Sequence, residues 1–552
     1  MDNSKDLEAE IHPLKNEDGK LQENLGKRLK KEDKLKSTPL QSRLSRCRTV
    51  AFFFSVFLCL LVVFVMSFVI PCPDRPVSQG MWRISYNTAV TYDFLATKDI
   101  NKDRIQDVLF LYKSTNRSNN FNQSCTDEGF SSPCSFVAAI SGANGSLLWE
   151  RPAAQDGALV LCGVPQLRDS RASSACVLMG RPGSFIAVDL FTGETLWSHP
   201  SSFGRNASIL SPLLQVPDLD ADGAPDLLVL TQEEEEVNSY LYSGSTGHQI
   251  GHRGSLGVSG TSGSLLYVTR AGAHYILFAC ASSLCGCSVK GVHEKVTGRE
   301  SPLRRDPLWE DMVNSTCRKL LLHGSEAVHY LMSVPGEGGE DLLIVSSEAC
   351  VLLDGQKLAP QWVFSAAQVL RKPILGHYKP DTSAVVIENG TGLHRQILLL
   401  DLSTGAVLWS QALPGLPGAP QSASLPTADH RSAFFFWGAH ELVDANQTEP
   451  GDTQHSLYMF HPTLPGVLLE LANVSANIVA FQVALFEPGR HAACILLTGP
   501  ASPDTPGLVS MAKHKVQDLI LSSSVVRLTE GGADSDDAVR DRLSRLRYRS
   551  ET

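Results

Sequence analysis

Basic charge is scarce in this 552-residue chain: 48 Lys and Arg stand against 58 Asp and Glu, a formal net charge of −10 with an isoelectric point near 5.9. A nucleic-acid binder needs a basic face to neutralise phosphates, so that class is set aside. There is no P-loop and no zinc-finger spacing, which removes the common nucleotide and metal-finger folds. Also missing are a Gly-x-Ser-x-Gly nucleophile elbow and a His-Glu-x-x-His metal pair. The 16 histidines are scattered, and a lone one such as His377 reads as an ordinary surface or core residue. Long helical patterns are absent too, outside one segment.

That segment runs from Val50 to Ile70, VAFFFSVFLCLLVVFVMSFVI, and holds no charged residue. It has about the length a helix needs to cross ~30 Å of hydrocarbon, where every backbone polar group must be satisfied internally. A cleaved signal peptide is the competing reading, but its apolar region would be shorter and nearer the start of the chain. Lys30, Lys31, Lys34, Lys36, Arg43, Arg46 and Arg48 crowd the N-terminal flank, whereas Arg75 and Arg83 alone follow closely on the other side. The flank richer in Lys and Arg stays cytosolic, so the expected topology is single-pass type II with the C-terminal portion lumenal or extracellular.

Sequons test that orientation independently. Asn116, Asn122, Asn144, Asn206, Asn314, Asn389, Asn446 and Asn473 each precede Ser or Thr by two residues, all after the span. They are glycan acceptors only in the secretory lumen. Ten of the 13 cysteines fall between Cys125 and Cys494, with close pairs at Cys125/Cys134, Cys162/Cys176 and Cys280/Cys285/Cys287, which suits bridges in an oxidising compartment. Cys285-Gly-Cys287 lacks the two-residue spacer of a zinc site. Cys47, at the cytosolic edge, reads as a palmitoylation site or a plain free thiol.

The portion beyond the span is repetitive. AAISGANGSLLW (138–149), IAVDLFTGETLW (186–197) and LLLDLSTGAVLW (398–409) are strand–turn–strand units ending in Trp. Looser copies lie at 239–251, 288–298, 350–362 and 457–470, and the turn glycines are Gly145, Gly193, Gly247, Gly298, Gly355, Gly405 and Gly466. A second unit, an apolar strand followed by a polar loop and a very apolar strand, recurs at 96–112, 216–230, 333–346, 375–388 and 481–499, with 508–521 as a degenerate closing hairpin. The spacing of roughly fifty to sixty residues is that of four-stranded propeller blades with loops. The expected fold is an all-β propeller of about eight blades, or alternatively seven with a closing strand. The expected organisation is a disordered cytosolic tail over 1–48, a signal-anchor helix over 49–71, a juxtamembrane stalk over 72–90, the propeller over 91–525 and a flexible tail over 526–552.

One loop has ligand geometry. Asp218, Asp220 and Asp222 alternate, Gly223 follows, Ala224 offers a backbone carbonyl, and Asp226 closes the set before the strand LLVL. Carboxylates at alternate positions of a tight loop converge on a hard cation, and calcium suits a flexible oxygen cage better than magnesium. An EF-hand is excluded because Val229 stands where the bidentate Glu belongs. Asp99, Asn101, Asp103 and Asp107 form a weaker copy with Arg104 in the place of the glycine.

The 218–226 loop resembles the calcium loop of integrin-alpha FG-GAP repeats. With the tail, the anchor and the repeats, the chain resembles the integrin-alpha FG-GAP repeat-containing family of type II membrane glycoproteins. That resemblance implies a β-propeller, calcium that braces loops, and a cell-surface role. The Trp-ending hairpins also resemble quinoprotein-type repeats, where Asp, Thr-Gly and Trp set the turn and pack the blades. The expected function is therefore a non-catalytic glycoprotein held in the bilayer by one helix, its calcium-braced propeller serving as an interaction surface for a protein partner. The alternatives are an accessory subunit of another membrane protein and an ectodomain enzyme of quinoprotein-like type.

Overall fold

In the computed structural model, which describes residues 39–69 and 78–549 apart from connections such as 115–123, 321–326 and 440–453, the first of two units, Met1–Asp74, contains the helix Pro39–Val69. From Cys47 to Ser67 it exposes its side chains, with a mean hydropathy of 2.8. Among the described residues it is the one helix long and apolar enough to cross a membrane. It starts inside the 1–48 segment expected to be disordered. A helix nucleated by the apolar run lengthens at one hydrogen bond per residue, and Pro39 is tolerated in its first turn. Residues 1–38 and Ile70 lie outside the described residues.

The second unit, Arg75–Thr552, is a ring of eight four-stranded repeats. Blades two to six comprise strands within 156–200, 208–255, 264–320, 328–365 and 374–412, each an antiparallel sheet in sequence order from the innermost strand outward. Blade seven (423–474) gains a fifth strand, Ser524–Arg527, on its outer edge. Blades one and eight share a seven-stranded sheet through the strand Met81–Lys98. The first half of that strand pairs with Gly507–Lys515 as the outer edge of blade eight, and its second half pairs with Asp107–Ser114 as the innermost strand of blade one. A register shift between Tyr86 and Ala89, with Thr88 at φ 53°, marks the corner.

Burial follows the two-residue period of the strands. In Asp107–Ser114, Val108, Phe110 and Tyr112 pack against Ile495, Leu497, Val509 and Met511 of blade eight. Leu109 and Leu111, on the opposite face, pack against Cys176, Leu178, Ile186 and Val188 of blade two. Both faces are therefore covered, which is why the inner strands read as continuous apolar runs. Each apolar cluster joins two consecutive blades, and one exists at each of the eight junctions.

Indoles fasten the blades. The ring N–H groups of Trp82, Trp149, Trp197, Trp309, Trp362 and Trp409 donate to the carbonyls of Gly142, Leu190, Gly244, Gly355, Leu402 and Pro465, each in the turn before the outer strand of the next blade, at 2.9–3.3 Å. Gly145, Gly193, Gly247 and Gly405 sit in these turns at φ 69–77° with the preceding blade's indole against them, so that an added Cβ would meet the ring at 2.4–3.0 Å. In blade five Leu358 takes the left-handed position instead, at φ 53°.

Four expected elements differ. The hairpin expected at 288–298 is the helix Val289–Thr297, capped by Ser288 and ended by Gly298 at φ 67°. It buries Val289, Val292, His293 and Val296, a helical spacing that outweighs the turn-like Gly. The closing hairpin expected at 508–521 is a strand, Gly507–Lys515, followed by the helix Val516–Ser522, because the outer place in blade eight belongs to Met81–Ala89. For the same reason the 72–90 stalk has its last residues in a strand. The 526–552 tail contains the helix Asp536–Ser544, which Ser535 caps and which buries Val539 and Leu543, and Tyr548 bridges to Thr427. Its alternating acidic and basic runs mask that apolar stripe in the sequence.

Disulfides join Cys125–Cys134, Cys162–Cys176, Cys280–Cys285 and Cys287–Cys317. Cys350 and Cys494 are buried thiols.

Two outcomes test this packing. Gly247→Ala forces a methyl into the Trp197 ring and should cost about 1–3 kcal/mol, read as a lower urea midpoint. Gly257→Ala, also at positive φ (66°) but facing open space, should lose only the backbone share. Glu150 is 5% exposed with Oε1 unbonded among the described residues, and burial pushes its carboxyl up to about 7. The native state therefore holds an extra proton that the unfolded chain has released, and stability falls as pH rises from about 4.5 to 7. Glu150→Gln should remove that slope, a gain of up to about 3 kcal/mol above pH 7 in paired denaturation curves.

Candidate functional site

The connections between first and second strands, and the turns before the outer strands, share one rim of the ring. In blade three the first of these is the 217–225 loop between Ser208–Val216 and Asp226–Glu233. Its backbone is fixed by its own carboxylates. Asp218 accepts the amides of Ala221 (2.7 Å), Asp222 (3.2 Å) and Gly223 (2.9 Å), and Asp220 accepts that of Asp222 (3.2 Å). Asp222 accepts the amide of Ala224 at 2.9 Å. Ala221 and Gly223 take φ 64° and 89°, the left-handed steps that turn the chain.

Carboxylate oxygens of Asp218, Asp220 and Asp222 lie within 4.8 Å of one another, the one such acidic group with metal-ligand spacing among the described residues. Burial, with Asp222 and Asp218 beside it, raises the Asp220 carboxyl above its ordinary value. Burial acts the same way on Asp222. The hydrogen bonds it accepts from Ser245, the Ala224 amide and Ser243 outweigh that effect and hold it low. Ser243 donates to Asp222 at 2.8 Å and Ser245 donates to the same oxygen. Sequence reasoning missed this pair of hydroxyls. They sit in the blade's other rim turn, SGSTG, already visible as a repeat but not tied to the loop.

Asp226 stands apart from the three. It is fully buried and its two oxygens accept the amides of Leu219 (2.7 Å) and Gly244 (3.2 Å). Burial, with the charges of Asp220 and Asp222, lifts its carboxyl to about 7. It braces the loop to the turn. Asp107 does the same in blade one, accepting the amides of Ile100 (2.8 Å), Asn101 (3.2 Å) and Gly142 (2.9 Å), and Asp341 in blade five accepts that of Gly355 (2.9 Å). In each case the turn residue is glycine, because a Cβ would come within 1.8–2.0 Å of a carbonyl oxygen of the braced segment. Blades two and six have leucine there, and Leu190 and Leu402 donate their amides to the backbone carbonyls of Ser174 and Ser383 instead.

The 99–107 loop keeps the blade-three pattern. Asp99 accepts the Arg104 amide (3.0 Å), Asp103 accepts that of Ile105 (2.7 Å), and Lys102 and Arg104 take φ 62° and 70°. Asn101 replaces the middle carboxylate and donates its side-chain amide to Asp103 at 3.0 Å. Asp99 keeps one buried oxygen, Oδ1, unbonded among the described residues.

Of the sequon asparagines, Asn144 is exposed in the blade-one turn, with its Oδ1 accepting the Ser146 amide at 2.9 Å. Asn473 is exposed on the outer strand of blade seven, and Asn389 is half-buried in blade six. Asn116, Asn122, Asn206, Asn314 and Asn446 lie outside the described residues.

Comparison with known proteins agrees with this architecture. A family model described as the FAM234A/B beta-propeller matches residues 82–549. The human protein FAM234A is 73% identical over 547 residues, 99% of each chain, and human FAM234B is 26% identical over 90% of this chain and 82% of its own. Among solved structures, the quinohemoprotein alcohol dehydrogenase of Comamonas testosteroni is similar with a TM-score of 0.46, at 12% identity over 82% of this chain and 78% of that one.

The brace and the cluster separate in one experiment. Asp226→Asn leaves one oxygen for two amide donors and should cost about 1–3 kcal/mol in urea denaturation with EGTA present. Asp220→Asn, which keeps an oxygen for the Asp222 amide and sits at an exposed position, should stay within about 0.5 kcal/mol under the same conditions.

Proposed function

The chain belongs to the FAM234A/B family of β-propeller proteins, and from that membership we propose a non-catalytic type II membrane glycoprotein whose propeller is a protein-interaction surface at the cell surface or in the secretory pathway. The Lys- and Arg-rich flank of the Cys47–Ser67 span supports a cytosolic N-terminus. Exposed sequon residues Asn144 and Asn473, with four disulfides, support a lumenal or extracellular propeller. Interaction is supported by the rim itself. Its loops are held by side-chain hydrogen bonds before anything docks, so little ordering cost remains at binding.

Calcium joins this reading at the 218–226 loop, which resembles the FG-GAP type. The observation behind it is the convergence of Asp218, Asp220 and Asp222 within 4.8 Å, with Asp220 raised by burial and by the charges of Asp222 and Asp218, the last of which a cation would offset. These three carboxylates would hold the ion, with the Ala224 carbonyl completing the oxygen set. Asp226 would brace the loop from below. The ion would add a rigid cross-link to a rim that already has its shape. The 99–107 loop, with Asn101 in place of a carboxylate and the cationic Arg104 beside it, is the weaker candidate. The quinoprotein-like hairpins fit as blade fasteners, since their indoles and turn glycines are all engaged between blades.

Calcium at about a hundred times its dissociation constant should stabilise the parent by about 2.7 kcal/mol, and Asp220→Ala should abolish that gain. An identical melting midpoint for the parent in calcium and in EGTA sinks the calcium assignment. Crosslinking on intact cells tests the interaction reading, which a protein without reproducible neighbours does not satisfy.

A further inference from the structure

Blades four, five and six have short rim connections, 269–273, 336–339 and 379–382, where blades one and three carry aspartate loops. Among the described residues, the innermost strands of blades five and six, Val328–Gly336 and Ile374–Lys379, also approach each other least of the neighbouring pairs around the ring. Together these features open a cavity of about 680 Å³ on the same rim as the aspartate loops.

Its chemistry is one-sided. Among the described residues, Asp341, Asp354, Asp381 and Asp401 line it against a single cation, Arg270. Asp341 is engaged by the Gly355 amide and by Gln361 at 2.9 Å each. Asp354 uses Oδ1 for the amides of Gln356 (2.9 Å) and Lys357 (2.8 Å), and Asp401 uses Oδ1 for those of Ser403 (2.8 Å) and Thr404 (3.2 Å). Their Oδ2 atoms, and both oxygens of Asp381, accept no hydrogen bond among the described residues. The carboxylates do not converge with metal spacing, as those of the 218–226 loop do, so a bare divalent ion is poorly served. Among the described residues no aromatic ring lines the walls, so a sugar or a planar cofactor finds no stacking platform there. A cation with several N–H donors, long enough to reach carboxylates of two blades, matches what is free.

We propose that this cavity is the docking pocket for a protein partner and receives the side chain of an Arg or Lys that the partner presents on a loop. The assignment rests on the protein-interaction reading above. Asp354 from blade five and Asp381 and Asp401 from blade six hold the cation between them. Arg270, at the blade-four edge, meets an acidic residue beside it.

The test uses the full-length protein in lipid nanodiscs, with N-acetyl-arginine methylamide as probe and the uncharged citrulline analogue as control, followed by saturation-transfer NMR. The arginine probe should bind at least tenfold more tightly than the citrulline one. Asp381→Asn alone, which disturbs no described hydrogen bond, should weaken it at least threefold, and adding Asp354→Asn and Asp401→Asn should weaken it at least tenfold. Glu194→Gln, an exposed carboxylate in the blade-two turn, should leave it unchanged. Equal binding of the two probes, or full binding by the triple variant, overturns the pocket. Crosslinking of the parent and the triple variant on cells then separates the two readings. Loss of a neighbour in the triple variant alone supports the pocket as the docking site. Neighbours retained by both overturn the pocket and keep the interaction surface. Probe binding with no crosslinked neighbour to the parent overturns the interaction reading, and with it the assigned occupant.

Discussion

An indole lying against a turn glycine, its N–H donated to a carbonyl of the next blade, is the interaction that the rest of this ring depends on. It combines burial of the largest side chain with a directional bond, so it fixes both how close two blades come and how they are rotated. Six of the eight junctions have the bond, four of them with the indole against a turn glycine. The two that lack it are those whose receiving turn does not exist. In blade four the connection to the outer strand is a helical insertion, and in blade eight the third strand runs into a helix while the outer strand comes from the N-terminal end. At those two junctions apolar side chains pack the blades without an indole bond. The insertion in turn supplies Trp309 to blade five, stacked on Tyr267 at 5.0 Å between ring centroids and tilted against Tyr275 at 4.8 Å.

The same rim shows how few residue types are needed to hold a polar edge in place. A buried carboxylate at the start of the second strand and a glycine in the turn beside it occur together in blades one, three and five. Each needs the other: the amide must be satisfied, and only a residue without Cβ lets the two segments approach. Where leucine replaces the glycine, a backbone carbonyl takes the amide and no aspartate is required. Carboxylates that shape loops and carboxylates left open to ligands are thus different atoms, often of the same residue. Asp354 and Asp401 spend one oxygen on the turn and keep the other free.

Much of the architecture was legible before any coordinates. The Trp-ending hairpins and their period announce a propeller, because Thr-Gly turns and indoles recur where blades repeat, and the eighth unit at 481–499 favoured eight blades over seven. The first three carboxylates of the 218–226 loop were legible because alternation places them on one side of a tight turn. The role of Asp226 was not. A carboxylate at a fixed spacing looks like a ligand in sequence, and only its burial and its two amide partners mark it as a brace. Ser243 and Ser245 reach Asp222 from a turn some twenty residues away, a proximity that no local pattern encodes. The cavity between blades five and six was invisible for a related reason: it comes from what three loops omit.

The strand Met81–Lys98 ties the order of synthesis to the order of folding. Its first half has no partner of its own until Gly507–Lys515 exists, so the ring cannot close before that strand is made. For most of translation the growing molecule is an open arc with one blade incomplete and an unpaired edge at its start, the kind of surface that recruits wrong neighbours. Closure is a single late event of very large sequence separation, which places it among slow, nonlocal pairings. A chain cut anywhere between these two segments leaves an arc that has its blades but lacks its clasp.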